Sequence, residues 1–387
     1  MLIGGFQHFD TESALRENTG RVFPLPFDTA GDYERQVFTN NGRTATVYLL
    51  DNCMSLGPDD YVLLPDYLCL SILTALDAGK AAYRFYRVRR DLSIDLADLD
   101  AKLAESKAAG GRCKAIYLTH FFGTAYSDAD TDALIALSKK YGVPIIEDLT
   151  QSLLTSPYAG HKGIGFGDYL VASTRKWFPN SDGGIVCGRR DAYFPIVELG
   201  DPYNEAAYKQ LLISLISDRF DEIAAADPAA DLSSYVPFER EANRVRYTDL
   251  TVREMTPYSR NVMLNADLSD CAAKRRENYE YLWSLLEDVP GVGILSEPLD
   301  SCGRVGARGG IVPFGLVIMV EERDKLYDFL AARGIVGEIQ WILPVEFYEP
   351  GEDAKYLSAH NLMLQVYQGY VKEKLDRVAA AIKEFMK

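Results

Sequence analysis

The chain has 387 residues, of which 48% are hydrophobic and 25% charged, an ordinary composition for a folded globular protein. A net charge of −15 disfavours binding to nucleic acid or to anionic membranes. The six cysteines form no CxxC pair, the four histidines lack the spacing of a helical metal pair, and neither a secretory signal nor an apolar run of roughly 20 residues is visible, so we expect a cytoplasmic protein without a structural metal.

Short apolar runs alternate with amphipathic stretches between residues 40 and 190, as is typical of βα units around a mainly parallel sheet. A helix is predicted over residues 127–141, because Ser127 is a typical N-cap and Gly142 a typical stop. The predicted strands are 61–64, 82–87, 115–119, 144–147, 169–172 and 184–187.

The chain changes character after residue 200. Helical runs and a connection containing proline and serine fill residues 200–245, where we place a domain transition. The predicted domains are residues 1–245 and 246–387. The second should be a smaller α+β domain, with helices in 271–291, 322–334 and 370–387 and a strand in 309–320.

Two residues that carry chemistry follow predicted strands. Asp148 ends the strand over 144–147, where open α/β sheets place ligand-binding groups. Lys176 follows the strand over 169–172 and is flanked by Arg175 and Trp177, compatible with the desolvated or cation-rich site that a nucleophilic amine needs. Each also has a simpler interpretation: an aspartate that caps a turn and a surface lysine on a loop.

A third feature is the segment TNNGRTATVYLL, in which small and polar residues precede an apolar helical run. Gly42, Arg43 and Thr44 would present backbone N–H groups at a helix N-terminus, and such a site binds phosphate well. An Asn-Gly pair that merely forms a turn is the simpler interpretation.

The order of these features is that of enzymes that use pyridoxal phosphate (PLP), and the chain resembles the DegT/StrS-type sugar aminotransferases. The matching segments are GRTA (42–45), VLLPDY (62–67), THFFG (119–123), EDLTQS (147–152), GHKGIGFGD (160–168), Ser173, Lys176 and DGG (182–184). This resemblance implies the type I PLP-dependent transferase fold, an α/β fold whose large domain has a mixed, mainly parallel sheet. It also implies a homodimer.

The resemblance further implies that Lys176 holds PLP as a Schiff base and that Asp148 pairs with the pyridine nitrogen. Other cofactor contacts would come from Gly42, Arg43, Thr44, His120, Gln151 and Ser173, with Gln151 near the phenolic oxygen and Ser173 near the phosphate. The implied reaction moves an amino group from an amino-acid donor to a keto acceptor such as a nucleotide sugar. Elimination or dehydration on PLP, and a non-catalytic PLP-fold binding protein, are the alternatives.

Two of the chain's departures from the family pattern concern contacts to the cofactor. Cys69 stands where the family often has an aromatic residue that stacks on the cofactor ring, so His120 or Phe121 is the candidate for that role. The family's NYR motif, which a partner subunit uses to bind phosphate, is most nearly matched by TPYSR (256–260).

Overall fold

The computed structural model describes residues 11–18, 22–156, 162–203, 208–209, 211–212, 241, 244, 247–295 and 310–387. Its helices are α1 Thr11–Leu15, α2 Gly42–Cys53, α3 Leu70–Ala78, α4 Leu96–Ala108, α5 Asp128–Tyr141, α6 Pro257–Asn265, α7 Leu268–Leu286, α8 Arg323–Ala331, α9 Glu352–His360 and α10 Lys372–Phe385. Its strands are β1 Arg35–Thr39, β2 Tyr61–Pro65, β3 Ala82–Tyr86, β4 Cys113–Thr119, β5 Ile145–Asp148, β6 Tyr169–Ser173, β7 Gly184–Gly188, β8 Gly293–Ile294, β9 Gly315–Met319 and β10 Asn361–Gln365.

Seven strands form one mixed sheet in the order β1-β7-β6-β5-β4-β2-β3. In this order, the strands from β6 to β3 pair in parallel. At the other edge, β7 pairs antiparallel with β6 on one side and with β1 on the other. Successive residues of β2 belong to two different hydrophobic clusters. Leu63 lies in one cluster, and Val62 and Leu64 lie in the other. Both faces of the sheet are therefore covered, as parallel sheets require, and the predicted α/β class is confirmed.

The predicted elements of this part of the chain are present within one or two residues. Ser127 caps α5 by accepting a hydrogen bond from the Asp130 N–H at 3.1 Å, and Gly142 ends the helix in the left-handed conformation. Strand β1 was not predicted. It is an edge strand whose partner, β7, lies far away in the sequence, so no local βα pattern marks it.

A second sheet, in the order β10-β9-β8, is antiparallel and lies among residues 293–365. A third hydrophobic cluster joins it to α7, α8 and α10, as Leu282, Leu316 and Ile382 illustrate. The C-terminal α+β arrangement is thus as predicted. The predicted boundary at 245/246 and most of the region predicted over 200–245 lie outside the described residues. No helix of the described part is long and apolar enough to cross a membrane.

Parallel pairing places the functional strand ends side by side. Thr119 at the end of β4 is paired with Asp148, and Asp148 in turn with Val171 of β6. Helix α2 starts beside the same edge, because Asn41 forms a bridge with Gly183 just before β7. Groups from four separate segments therefore meet at one edge of the sheet.

Candidate active site

A cavity of about 140 Å³ lies at these strand ends. Its lining includes six of the predicted site residues: Gly42, Arg43, Asp148, Gln151, Ser173 and Lys176. The other lining residues are Asn41, Thr46, Cys69, Ser71, Ile72, Tyr117, Thr119, Thr150, Arg175, Tyr247 and Trp341. The lining does not include Thr44 and His120, the other two predicted residues.

Asp148 is held by a hydrogen bond to each carboxylate oxygen. Oδ1 accepts from the Thr150 N–H at 2.8 Å, and Oδ2 accepts from the Tyr117 hydroxyl at 3.0 Å. Burial, and after it the Asp148 carboxylate, raises the pKa of Tyr117 well above its ordinary value, so Tyr117 remains a protonated donor. The site therefore holds an oriented carboxylate with only 6% of its surface exposed.

Lys176 lies in a short 3₁₀ turn, Thr174–Lys176, that directly follows β6. The turn is anchored on both sides: the Thr174 N–H donates to the Gly183 carbonyl at 3.1 Å, and the indole of Trp177 donates to the Thr150 carbonyl at 3.0 Å. Lys176 Nζ is 5.8 Å from the centroid of the Phe314 ring. Lys176 thus lines the cavity with its amine close to an apolar ring.

C-terminal residues support this turn from behind. Gln368 donates from Nε2 to the Trp177 carbonyl at 2.9 Å, and the Arg275 guanidinium lies 4.6 Å from the Trp177 ring centroid. Burial removes the Arg275 guanidinium from water and so lowers its pKa to about 10. The C-terminal part of the chain therefore helps to fix the position of Lys176.

The predicted phosphate turn differs from the expectation in one respect. Asn41, the N-cap of α2, accepts hydrogen bonds from the N–H groups of Arg43 and Thr44, both at 3.0 Å. The Thr44 hydroxyl is also engaged, since it donates to Asn40 Oδ1 at 2.7 Å. The expectation that these two N–H groups point unengaged at a ligand is therefore wrong, and Thr44 is a buried capping residue. Gly42 and the Arg43 side chain do line the cavity.

Two glycines allow the turn to approach its neighbours closely. A Cβ on Gly42 would lie 3.0 Å from the Cβ of Ser173, and one on Gly184 would lie 2.3 Å from the Asn41 carbonyl oxygen. Because real Cβ atoms do not come so close to backbone, a side chain at 184 would separate β7 from α2. The DGG segment thus keeps Ser173 beside Gly42.

Gln151 reaches the cavity with both ends of its amide already bonded. Its Oε1 accepts from the Phe122 N–H at 3.1 Å, and its Nε2 donates to Gln340 Oε1 at 2.8 Å. The residue therefore joins the loop after β4 to the C-terminal segment. A ligand contact from Gln151 would use the lone pairs left on these atoms or exchange one partner.

His120 lies behind the cavity. Its Nε2 is 2.8 Å from Glu147 Oε1, in a pair whose side chains are at most 1% exposed. Phe121 is likewise enclosed, in contact with Tyr67 and Trp341. The structure therefore does not bring either proposed stacking residue to the cavity surface. The aromatic side chains that do line it, besides Tyr117, are Tyr247 and Trp341.

The TPYSR segment makes contacts within the same chain. The Asp182 carboxylate accepts from the Thr256 N–H at 2.9 Å and from the Thr256 hydroxyl at 2.6 Å. Burial raises the pKa of Asp182, while its bonds to Ser259 and Thr256 oppose that rise. Thr256 and Ser259 therefore hold the DGG segment in place.

Sequence reasoning missed Tyr117 and Trp341. Tyr117 falls within a predicted strand but in none of the quoted motifs, although a phenol on a buried strand beside a strand-end carboxylate is itself a signal. Trp341 belongs to a distant segment with no motif around it. Asn41 was a recognisable N-cap, and its position in TNNGRT would have indicated that it engages the next two N–H groups.

Comparison with known proteins gives a consistent picture. Residues 30–196 match the model of the DegT/DnrJ/EryC1/StrS aminotransferase family. The chain is 27% identical over 314 residues to the dTDP-4-dehydro-2,3,6-trideoxy-D-glucose 4-aminotransferase of Saccharopolyspora spinosa, covering 79% of this chain and 71% of that one. It is 23% identical over 364 residues to a pleiotropic regulatory protein of Geobacillus stearothermophilus, covering 89% and 83%.

The fold is also that of solved structures. Helicobacter pylori PseC, an aminotransferase involved in the biosynthesis of pseudoaminic acid, superimposes with a TM-score of 0.66 at 14% identity, over 100% of this chain and 98% of that one. The matched sequence range, 30–196, contains all of the residues proposed from sequence for the site.

Proposed function

Because residues 30–196 match the model of the DegT/DnrJ/EryC1/StrS aminotransferase family, we propose that the chain is a PLP-dependent aminotransferase that moves an amino group from an amino acid to a keto sugar. The observation that carries the proposal is the presence of Lys176 and Asp148 in the lining of one cavity. An amine and an oriented carboxylate are the two groups that PLP chemistry requires from the protein.

The residues of the cavity fit PLP in their chemistry. An amine suits the aldehyde, and a carboxylate with a hydrogen bond on each oxygen suits a protonated pyridine nitrogen. Gly42, Arg43 and Ser173 offer a narrow polar corner, where a Cβ on Gly42 would fill the space next to Ser173. Such a corner beside a helix N-terminus suits a phosphate.

Bound PLP supplies an aldehyde that captures amines and a protonated ring that accepts electrons from a breaking bond. Lys176 Nζ would hold the cofactor at that aldehyde and would carry the proton removed from the donor's carbon. Asp148 would keep the pyridine nitrogen protonated. Ser173, Gly42 and the Arg43 side chain would hold the phosphate.

The acceptor is proposed to be a sugar because the Saccharopolyspora spinosa relative is a sugar aminotransferase by name. Three of the lining residues support this assignment. Trp341 and Tyr247 are aromatic, and Arg175 adds a cation to the lining. Aromatic faces and a guanidinium suit a sugar that carries an anionic group.

We also infer a homodimer. Large apolar side chains next to lining residues in the sequence are exposed, with Leu70 at 46% and Ile342 at 72%. Leu70 and Ile342 directly follow the lining residues Cys69 and Trp341. A second copy of the chain would cover such a patch, and sedimentation velocity measures the expected doubling of mass.

The decisive experiment is reduction with borohydride after PLP has been added. We expect a visible absorption band in the wild type and covalent fixation of the cofactor at Lys176, detected by peptide mass spectrometry. Lys176→Ala should fix none. Lys162→Ala, which removes an exposed lysine paired with Asp132 at 2.9 Å, is the matched control and should behave as the wild type. Fixation in Lys176→Ala at the wild-type level would refute the assignment.

A second measurement separates the alternatives. An amino donor such as glutamate should convert the bound cofactor to its amine form if the reaction is transamination. A protein that catalyses elimination or dehydration would release product without needing a donor. A protein that binds PLP but converts neither donor nor acceptor would be a binding protein. The similarity to the pleiotropic regulatory protein is the reason to test this alternative.

A further inference from the structure

Tyr117 occupies a position that the family resemblance does not assign. It lies on β4, lines the cavity and is 1% exposed. Its hydroxyl donates to Asp148 Oδ2 at 3.0 Å across the pair of strands β4 and β5. A buried phenol thus has an ionisable partner inside the site itself.

We propose that Tyr117 is a positioning residue for Asp148: its hydroxyl fixes the carboxylate in the orientation that PLP requires. This inference rests on the proposed function. The rotation of a carboxyl group about its terminal bond is soft, and the Thr150 N–H holds only Oδ1. With Tyr117 on Oδ2, both oxygens are fixed, and each keeps a lone pair for a further donor.

The phenol suits this role better than a charged donor would. A lysine or arginine at this position would neutralise Asp148 and compete with a pyridinium for it. A neutral hydroxyl stabilises the carboxylate and leaves its charge in place for the cofactor. The effect of Tyr117 should therefore depend on the ring nitrogen of the cofactor, which provides a test.

The experiment compares Tyr117→Phe with Tyr86→Phe. Tyr86 is also a fully buried tyrosine, and its hydroxyl donates at 2.8 Å to the backbone carbonyl of Tyr117. Both variants lose one buried phenolic hydrogen bond at the same strand, but only Tyr117→Phe loses a bond to Asp148. Dissociation constants are measured for PLP and for 1-deaza-PLP, which has carbon in place of the ring nitrogen.

We expect Tyr117→Phe to bind PLP about tenfold more weakly, the change that loss of a hydrogen bond to a charged group produces. Its affinity for the deaza analogue should change by less than about twofold, as should both affinities of Tyr86→Phe. 4-Aminophenylalanine in place of Tyr117, which keeps a neutral but weaker donor at the same position, should show a smaller loss that is again specific for PLP. This variant serves as the test if Tyr117→Phe does not fold.

Two results would overturn the inference. Equal losses for PLP and the deaza analogue would mean that Tyr117 only supports the fold, and unchanged PLP affinity would mean that Asp148 does not need it. A wild type that binds no PLP would instead refute the proposed function itself, and the inference with it. That outcome is recognised before any variant is made.

Discussion

Glu147 and Asp148 are neighbours on β5 whose carboxylates serve opposite sides of the strand. Asp148 lines the cavity, whereas Glu147 pairs with His120 at 2.8 Å and accepts from the N–H groups of Gly165 and Gly167 at 3.1 and 2.6 Å. Because side chains alternate along a strand, one acidic pair supplies both a candidate catalytic group and a structural one.

Replacing Glu147 should therefore reduce stability. Glu147→Ala leaves His120 and two glycine N–H groups buried without their acceptor, and we expect the free energy of unfolding to fall by about 3 kcal/mol or more. Urea unfolding followed by circular dichroism measures it. Glu105→Ala, which removes an exposed partner of Arg84, is the control and should change stability by less than about 1 kcal/mol. Equal stability of the two variants would contradict this account.

The N-cap of α2 should make its own measurable contribution. Asn41 accepts from two N–H groups and Thr44 closes a capping box, so Asn41→Ala should lower the free energy of unfolding by about 1 kcal/mol. Asn41→Ser retains a capping oxygen and should recover most of this loss. If alanine and serine proved equally stable, the cap would contribute nothing.

Ser173 provides a test of the phosphate corner. It lines the cavity beside Gly42, and we propose that its hydroxyl contacts the phosphate. Ser173→Ala should weaken PLP binding about fivefold to tenfold, the scale of one hydrogen bond to a charged group. Binding of pyridoxal, which lacks the phosphate, should not change. A fluorescence titration with each ligand measures the two constants, and equal losses for both would remove Ser173 from the phosphate site.

The elements that could be predicted from sequence are those with local signals. The parallel strands and α5 follow from apolar runs, caps and stops, and the positions of Asp148 and Lys176 follow from the rule that parallel strands end at one edge. Side-chain direction has no such signal. His120 lies in a matched motif, and the residue before it, Thr119, is paired with Asp148. The His120 side chain nevertheless turns toward Glu147 and away from the cavity.

Contacts between distant segments were the other limit. Trp341 reaches the cavity from a loop in the C-terminal part, and Gln340 next to it engages Gln151. Neither pairing has any periodicity or spacing that a single sequence could reveal. The same is true of β1, whose antiparallel partner β7 follows long after it.

The cysteines should differ sharply in reactivity. Burial raises the pKa of Cys53 and that of Cys113 to about 12, so both are almost wholly protonated thiols at pH 8 and should resist iodoacetamide. Cys69 lines the cavity at the start of α3. We expect it to be alkylated at pH 8 and to be protected by PLP, as peptide mapping would show. Alkylation of Cys69 at the same rate with and without PLP would argue against cofactor binding in this cavity.

Substitution of two glycines with positive φ distinguishes the cost of a strained backbone from the cost of a steric clash. Gly142 ends α5 at φ 68° with nothing within 4 Å of an added Cβ, so Gly142→Ala should cost about 1 kcal/mol of unfolding free energy. Gly183 has φ 133°, and its Cβ would lie 2.2 Å from the hydroxyl oxygen of Thr174. Thr174 begins the turn that carries Lys176, so alanine at 183 must displace that turn.

Gly183→Ala should therefore affect function as well as stability. We expect an unfolding free energy lower by about 3 kcal/mol or more, together with loss of borohydride-fixed PLP in the fraction that remains folded. Gly142→Ala should fix PLP as the wild type does. Normal cofactor fixation in folded Gly183→Ala would mean that the DGG segment does not hold the lysine turn, because the clash could then be relieved without moving Lys176.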